Sequence, residues 1–152
     1  MADLFSFEFT AHTKASQQAA FDAVANAEDW TKWGKPVVRA TKLTRTGNPD
    51  ERGVGAVRAM GAFPGGPLPV KERITAFEPH RRIGYTLVTP APMRNYAGEL
   101  TFTEADDGTD VRWQIQFEEL IPASGPLIRA AFRQLIGTFH GKLIRYLDEQ
   151  AR

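Results

Sequence analysis

Arg58, Glu72, Tyr85, Tyr96 and His140 are the side chains best suited to hold or act on a small molecule. Arg58 and Glu72 lie in two segments, Val54 to Met60 and Val70 to Phe77, separated by a loop rich in Gly and Pro. Period-two patterning marks such segments as strands with one inward face. If Glu72 faces inward, Val70 and Ile74 do so too, and Val54, Ala56, Arg58 and Met60 share that face on the preceding strand. A hairpin closing near Gly65 then sets Arg58 opposite Glu72. In one reading this pair is a polar anchor: Arg58 grips a ligand carboxylate or enolate, and Glu72 tunes it or acts as a base. In the other it is a structural ion pair that satisfies itself.

Tyr85 and Tyr96 fall on inward strand faces. Each offers an apolar body and one hydroxyl, which orients either a ligand carbonyl or a backbone carbonyl. His140 borders an apolar helix stripe, where it is either an acid–base group or a buried histidine with a structural partner. His12 and His80 are remote in sequence, and His80 reads as a solvated turn residue beside Arg81 and Arg82. The three histidines lack metal-ligand spacing, and the chain has no cysteine. No nucleophile elbow, Walker loop or dinucleotide fingerprint occurs. The Gly65-Gly66 pair has no following Lys-Ser/Thr and joins two strands instead of opening a helix. Neither a metal nor a cofactor is expected.

That loop, GAFPGGPLP from Gly61 to Pro69, reads as a gate. Phe63, Pro64, Gly65, Gly66 and Pro67 form its tip, mobile at the glycines and restricted at the prolines. The alternative is a long hairpin that is merely tolerated.

The elements that must position these residues follow from periodicity. Leu4 to Thr13 alternates as a strand, with Phe5, Phe7 and Phe9 on one face. Ser16 to Ala27 reads as a short helix that Ser16 opens, with Ala20, Phe21 and Val24 facing in. Trp30 and Trp33 follow, either lining a cavity mouth or plugging the end of the sheet. Further strands are expected at Val37 to Arg45, Val54 to Met60, Val70 to Phe77, Ile83 to Thr89, Tyr96 to Thr103 and Thr109 to Glu118. The last two flank the hairpin turn Asp106-Asp107-Gly108. Trp113 points inward, as core or as cavity wall. After Pro122 the period becomes 3.6 for some 25 residues, with Ser124 as cap and Pro126 in the first turn. Ile128, Ala131, Phe132, Leu135, Phe139, Leu143, Tyr146 and Leu147 make its apolar stripe. Gly137 and Gly141 interrupt it, which suggests close packing or a kink. Runs of strands joined by tight turns imply an antiparallel sheet, which the long helix covers.

Composition excludes several function classes. The 19 basic and 18 acidic residues leave a net charge of +1 and are interspersed, so no nucleic-acid partner is implied. No apolar run is long enough to insert into a membrane. The N-terminus has no basic start or small-residue cleavage site and reads as a strand. Length, 152 residues, fits one domain over 1–152, and the default location is the cytoplasm.

Several short stretches, in order, resemble the START-like helix-grip superfamily (SRPBCC) in its polyketide cyclase/dehydrase-like branch. They are Ala20-Phe21-Asp22-Ala23-Val24 with Trp30 and Trp33, Gly53 to Arg58, Val70-Lys71-Glu72-Arg73-Ile74, Glu78-Pro79 with Arg81, Arg82 and Tyr85, and Gly108-Thr109 before Trp113. Segments 54–60, 70–77 and 94–98 also resemble plant abscisic-acid receptors, in which the intervening loop gates the cavity. The resemblance implies an α+β helix-grip fold: a curved antiparallel seven-stranded sheet wrapped around the C-terminal helix, with two short helices between strands 1 and 2. It also implies an internal cavity for an apolar molecule such as a lipid, polyketide or aromatic. Arg58, Met60, Glu72, Tyr85, Tyr96, Trp113, Phe132, Leu135 and Phe139 are the expected ligand contacts. Three functions stay open: a binder or carrier; a polyketide cyclase/dehydratase using Arg58, Glu72, Tyr96 or His140; and a ligand-gated interaction module presenting Phe63 and Leu68. A homodimer is also left open.

Overall fold

The period-two segments pair as seven strands, described here from a computed structural model that covers residues 3–152. Met1 and Ala2, which the expected 1–152 domain includes, lie outside the described residues. The strands are β1 (Leu4–Thr13), β2 (Ala40–Arg45), β3 (Val57–Gly61), β4 (Val70–Glu78), β5 (Arg82–Leu87), β6 (Met93–Ala105) and β7 (Gly108–Glu119). They form one antiparallel sheet in the order β1-β7-β6-β5-β4-β3-β2. The chain runs from one sheet edge to the other through α1 (Gln17–Ala25), a 3-10 turn (Ala27–Asp29) and α2 (Trp30–Trp33). The long helix α3 (Gly125–Gln150) crosses the concave face. Its 26 residues span about 39 Å at 1.5 Å per residue. Register shifts at Leu43/Arg45, Ile74/Ala76 and Arg94/Ala97 interrupt three ladders. Such bulges bend a strand and increase its twist, which curves the sheet around α3.

Local chemistry sets the boundaries. The Ser16 hydroxyl accepts from Ala19 N–H and caps α1. Asp107, at φ 61°, turns the β6–β7 hairpin in the left-handed region that Asp tolerates. At α3 the expected cap is replaced. The Ser124 hydroxyl donates to Ile121 O instead, and Glu119 accepts from Ala123 and Gly125 N–H groups. A carboxylate at a helix start also opposes the positive end of its dipole.

Three expectations are corrected. β3 begins at Val57, because Gly53 to Ala56 turn back on themselves through Ala56 N–H to Gly53 O. Val54 therefore sits at a turn tip, 49% exposed, and not on the inward face. β2 begins at Ala40, because Val38 N–H bonds Gly34 O in a turn that follows α2. On α3 the buried stripe is Ile136, Phe139, His140, Leu143 and Leu147, with Ala131 exposed. Leu135 and Ile136 are adjacent and both apolar, so the sequence allows either phase of the stripe.

The C-terminal half of α3 packs on β1 and β7. Gly137 permits close approach there: a Cβ on it would meet the Phe9 ring at 2.9 Å. Asp148 fastens the helix end, accepting from Thr13 Oγ1 at 2.7 Å and Lys14 N–H at 2.9 Å. The middle of α3, from Phe132 to Phe139, faces β3, β4 and β5 across an open space.

Candidate functional site: an aromatic-walled cavity

That space is a cavity of about 410 Å³ with an open mouth. Pockets of roughly 300–1,000 Å³ suit small organic ligands. Its aromatic wall is Trp30 from α2, Tyr85 from β5, Tyr96 from β6, Trp113 from β7, and Phe132 and Phe139 from α3. Met60, Leu87, Leu135 and Ile136 add aliphatic surface, and Val37, Ala62, Val70, Pro90 and Ala91 stand among the lining contributed by loops and element ends. Phe5, Phe7 and Phe9 are not part of the lining, so the β1 aromatics leave the space unfilled.

The strand ladder explains why the polar groups converge. β3 and β4 place Arg58 directly across from Glu72, and β5 places Leu87 on Glu72's other side. Tyr85 pairs with Gly98 across β5 and β6. Gly98 is required there, because a Cβ would meet the Tyr85 ring at 2.2 to 2.6 Å. The Tyr85 ring thus lies over the β6 backbone, and its hydroxyl accepts from Trp113 Nε1 at 3.1 Å. The Tyr96 ring centroid is 6.2 Å from that of Tyr85 and 5.8 Å from that of Phe132.

Glu72 is the one carboxylate on the wall. Arg58 Nε donates to its Oε1 at 3.3 Å. Burial pushes the Glu72 carboxyl above its ordinary range, and the Arg58 charge opposes that shift. Burial also pushes the Tyr85 and Tyr96 phenols up, and the nearby Glu72 charge adds to this for both. These tyrosines stay protonated at neutral pH and serve as hydrogen-bond groups, not as bases.

Arg58 does not line the cavity. Its Nη1 donates to Val24 O at 2.6 Å, and its guanidinium carbon lies 5.1 Å from the Trp30 ring centroid. It borders a smaller recess on the other side, with Asn26 and Arg52. Arg58 therefore stands behind Glu72, and not on the cavity wall where the sequence pattern places it. His140 is displaced as well. It bonds Val111 O at 3.0 Å, stacks on Phe9 and lies outside the lining. Because a carbonyl only accepts, His140 Nε2 carries the proton. Burial holds its pKa below the ordinary value.

The other expected contacts, Met60, Glu72, Tyr85, Tyr96, Trp113, Phe132, Leu135 and Phe139, all border the cavity. Of the 61–69 loop, Gly61, Ala62 and Pro69 border it. Phe63, Pro64, Gly65, Gly66 and Pro67 stand in solvent away from it, Phe63 at 69% exposure. Of the two tryptophans expected at the mouth or as a plug, Trp30 forms wall and Trp33 is buried outside the lining. Their indoles donate to Val24 O and Ala23 O. Leu87 and Ile136 were missed. Leu87 was legible two positions after Tyr85 on the same strand face. Pro90 and Ala91 carried no signal, since only the fold brings their loop to the mouth.

The architecture and cavity define a helix-grip protein. The chain belongs to the family described as polyketide cyclase/dehydrase and lipid transport, whose sequence profile matches residues 5–148. No curated protein matches the sequence. Solved structures share the fold at low identity. The Zhui aromatase/cyclase from Streptomyces sp. R1128 superposes with a TM-score of 0.77 at 15% identity, covering 99% of this chain and 97% of that one. Norcoclaurine synthase from Thalictrum flavum, in complex with dopamine and hydroxybenzaldehyde, gives 0.73 at 9% identity, covering 97% and 88%. Ara h 8.0201 gives 0.70 at 18% identity, covering 95% and 98%. Among the described residues, no helix is long and apolar enough to cross a membrane.

Proposed function

We propose that the chain binds or carries a small hydrophobic molecule in this cavity, an aromatic, polyketide or lipid. The observation that carries the reading is the open, aromatic-walled space of about 410 Å³ with its polar groups gathered at Glu72, Tyr85 and Tyr96. Burying an apolar ligand there gains roughly 25 cal/mol per Å² of apolar surface removed from water. The reading calls for no cofactor, nucleic acid or membrane insertion, and we propose the cytoplasm as the protein's location. The 61–69 loop acts as its gate, with Phe63 folding over the mouth when a ligand is held. Native mass spectrometry and thermal-shift screening with aromatic, polyketide and lipid panels test it. Bound ligand and a raised melting temperature are expected; an empty protein and no shift with any panel would count decisively against it.

A cyclase/dehydratase is the second reading, favoured by one observation. Glu72, its carboxyl pushed up by burial, shares the cavity with the Tyr96 phenol. The pair could move a proton and hold an enolate oxygen. Turnover of a β-polyketone by the native protein, lost in Glu72→Gln, is the expected sign.

A further inference from the structure

The polar end of the cavity has an uneven supply of charge. None of its lining side chains is Lys, Arg or His. Glu72 contributes one carboxylate, whose Oε1 is taken by Arg58 Nε. Its Oε2 has no hydrogen-bond partner, yet it is not sealed in protein. Among the described residues, Arg58 Nη2 is the only fully buried side-chain nitrogen or oxygen left unpartnered. Glu72 Oε2 is therefore an acceptor that opens on the cavity.

Resting on the ligand-binding reading, we infer that the cavity selects a neutral apolar molecule with a hydrogen-bond donor, directed at Glu72 Oε2, over an anionic molecule of the same skeleton. An anion entering this space is stripped of water and finds no cation on the wall to replace it. Arg58, the cation paired with Glu72, is held away from the anion. Arg58 is tied to Val24 O and Glu72, lies over Trp30 and stands behind the wall. Pulling it forward would break its bond to Val24 O and leave Glu72 without its donor. A ligand cation gains less than an isolated carboxylate would give, because Arg58 already neutralises Glu72. A neutral phenol, enol, alcohol or N–H donor forms the missing hydrogen bond and buries no net charge. Tyr85 and Tyr96 can accept from or donate to such a molecule beside it.

Two matched pairs of probes test this. N-phenyl-1-naphthylamine and 8-anilinonaphthalene-1-sulfonate share a skeleton and differ by one sulfonate, and both fluoresce in apolar sites. The native protein at neutral pH should bind the neutral amine at least about tenfold more tightly, a difference of about 1.4 kcal/mol. 2-Naphthol should displace it at least about tenfold better than 2-naphthoate, a pair in which the added group is smaller. Glu72→Gln keeps an oxygen for Arg58 and removes the charge, so both ratios should fall below about threefold through tighter anion binding. The native-protein ratios decide the matter even if that variant folds poorly. Equal or tighter binding of either anion overturns the inference, as do unchanged ratios in a folded Glu72→Gln protein. If no probe binds the native protein, the ligand-binding reading itself fails and takes this inference with it.

Discussion

Arg58 and Glu72 face each other across the β3–β4 ladder with Nε and Oε1 3.3 Å apart, but they serve different compartments. Glu72 forms cavity wall, while Arg58 reaches behind it to Val24 O and Trp30. The pair thus joins the sheet to α1 and α2 while presenting one carboxylate oxygen to the cavity. A buried charge without its partner is costly, whereas replacing both partners by apolar groups of similar size is often neutral.

Arg58→Met alone and Glu72→Leu alone should therefore each lose about 3–5 kcal/mol of stability. The double substitution should recover most of that loss. Urea unfolding of the three variants measures it, and a double variant as unstable as the sum of the singles would contradict the pair's structural role.

Gly98 holds the Tyr85 ring in place by offering no side chain. Gly98→Ala should push the ring off the β6 backbone and break the Trp113 bond, costing about 1–3 kcal/mol as overpacking. Probe affinity should change with it. Adding Tyr85→Leu should restore part of the lost melting temperature, since the clashing ring atoms are gone.

Phe139 packs among Trp30, Trp33 and Trp113 and also forms cavity wall. Phe139→Ala should cost about 3–5 kcal/mol and enlarge the cavity. Naphthalene-sized probes should bind more weakly, and larger apolar ligands should then recover much of the lost melting temperature.

Two groups should make the fold acid-sensitive in separate windows. Burial holds the folded His140 pKa below its ordinary 6.5. The unfolded chain then binds the proton more readily, so stability falls as pH drops through and below that value. Hydrogen bonds from Thr13 and Lys14 hold Asp148 below its ordinary 3.8. Its contribution is present above that pH and is lost as pH falls through the folded pKa. His140→Gln should flatten the stability profile below pH 6.5, and Asp148→Asn should flatten it only in stronger acid. Urea midpoints across the pH range check both.

If the 61–69 loop gates the cavity, Phe63→Ala should leave the unliganded melting temperature nearly unchanged, because Phe63 is exposed. Probe release in stopped-flow fluorescence should become several-fold faster. Unchanged release would leave the loop without a gating role.

Alternation and turn chemistry made the seven strands, the long helix and the Arg58–Glu72 register legible in the sequence, because these depend on neighbours a few residues apart or across one hairpin. The aromatic supply for a cavity was legible for the same reason. Which side of the wall each group occupies was not. Arg58 alternates inward with Met60, yet its long side chain reaches sideways to a helix carbonyl supplied by a distant segment. His140 turns to a β7 carbonyl, and Pro90 and Ala91 reach the mouth through sheet curvature. Local pattern fixes which face a residue starts from. Only the packed tertiary structure decides where a long or flexible side chain ends, since buried polar groups turn toward partners that the sequence order does not reveal.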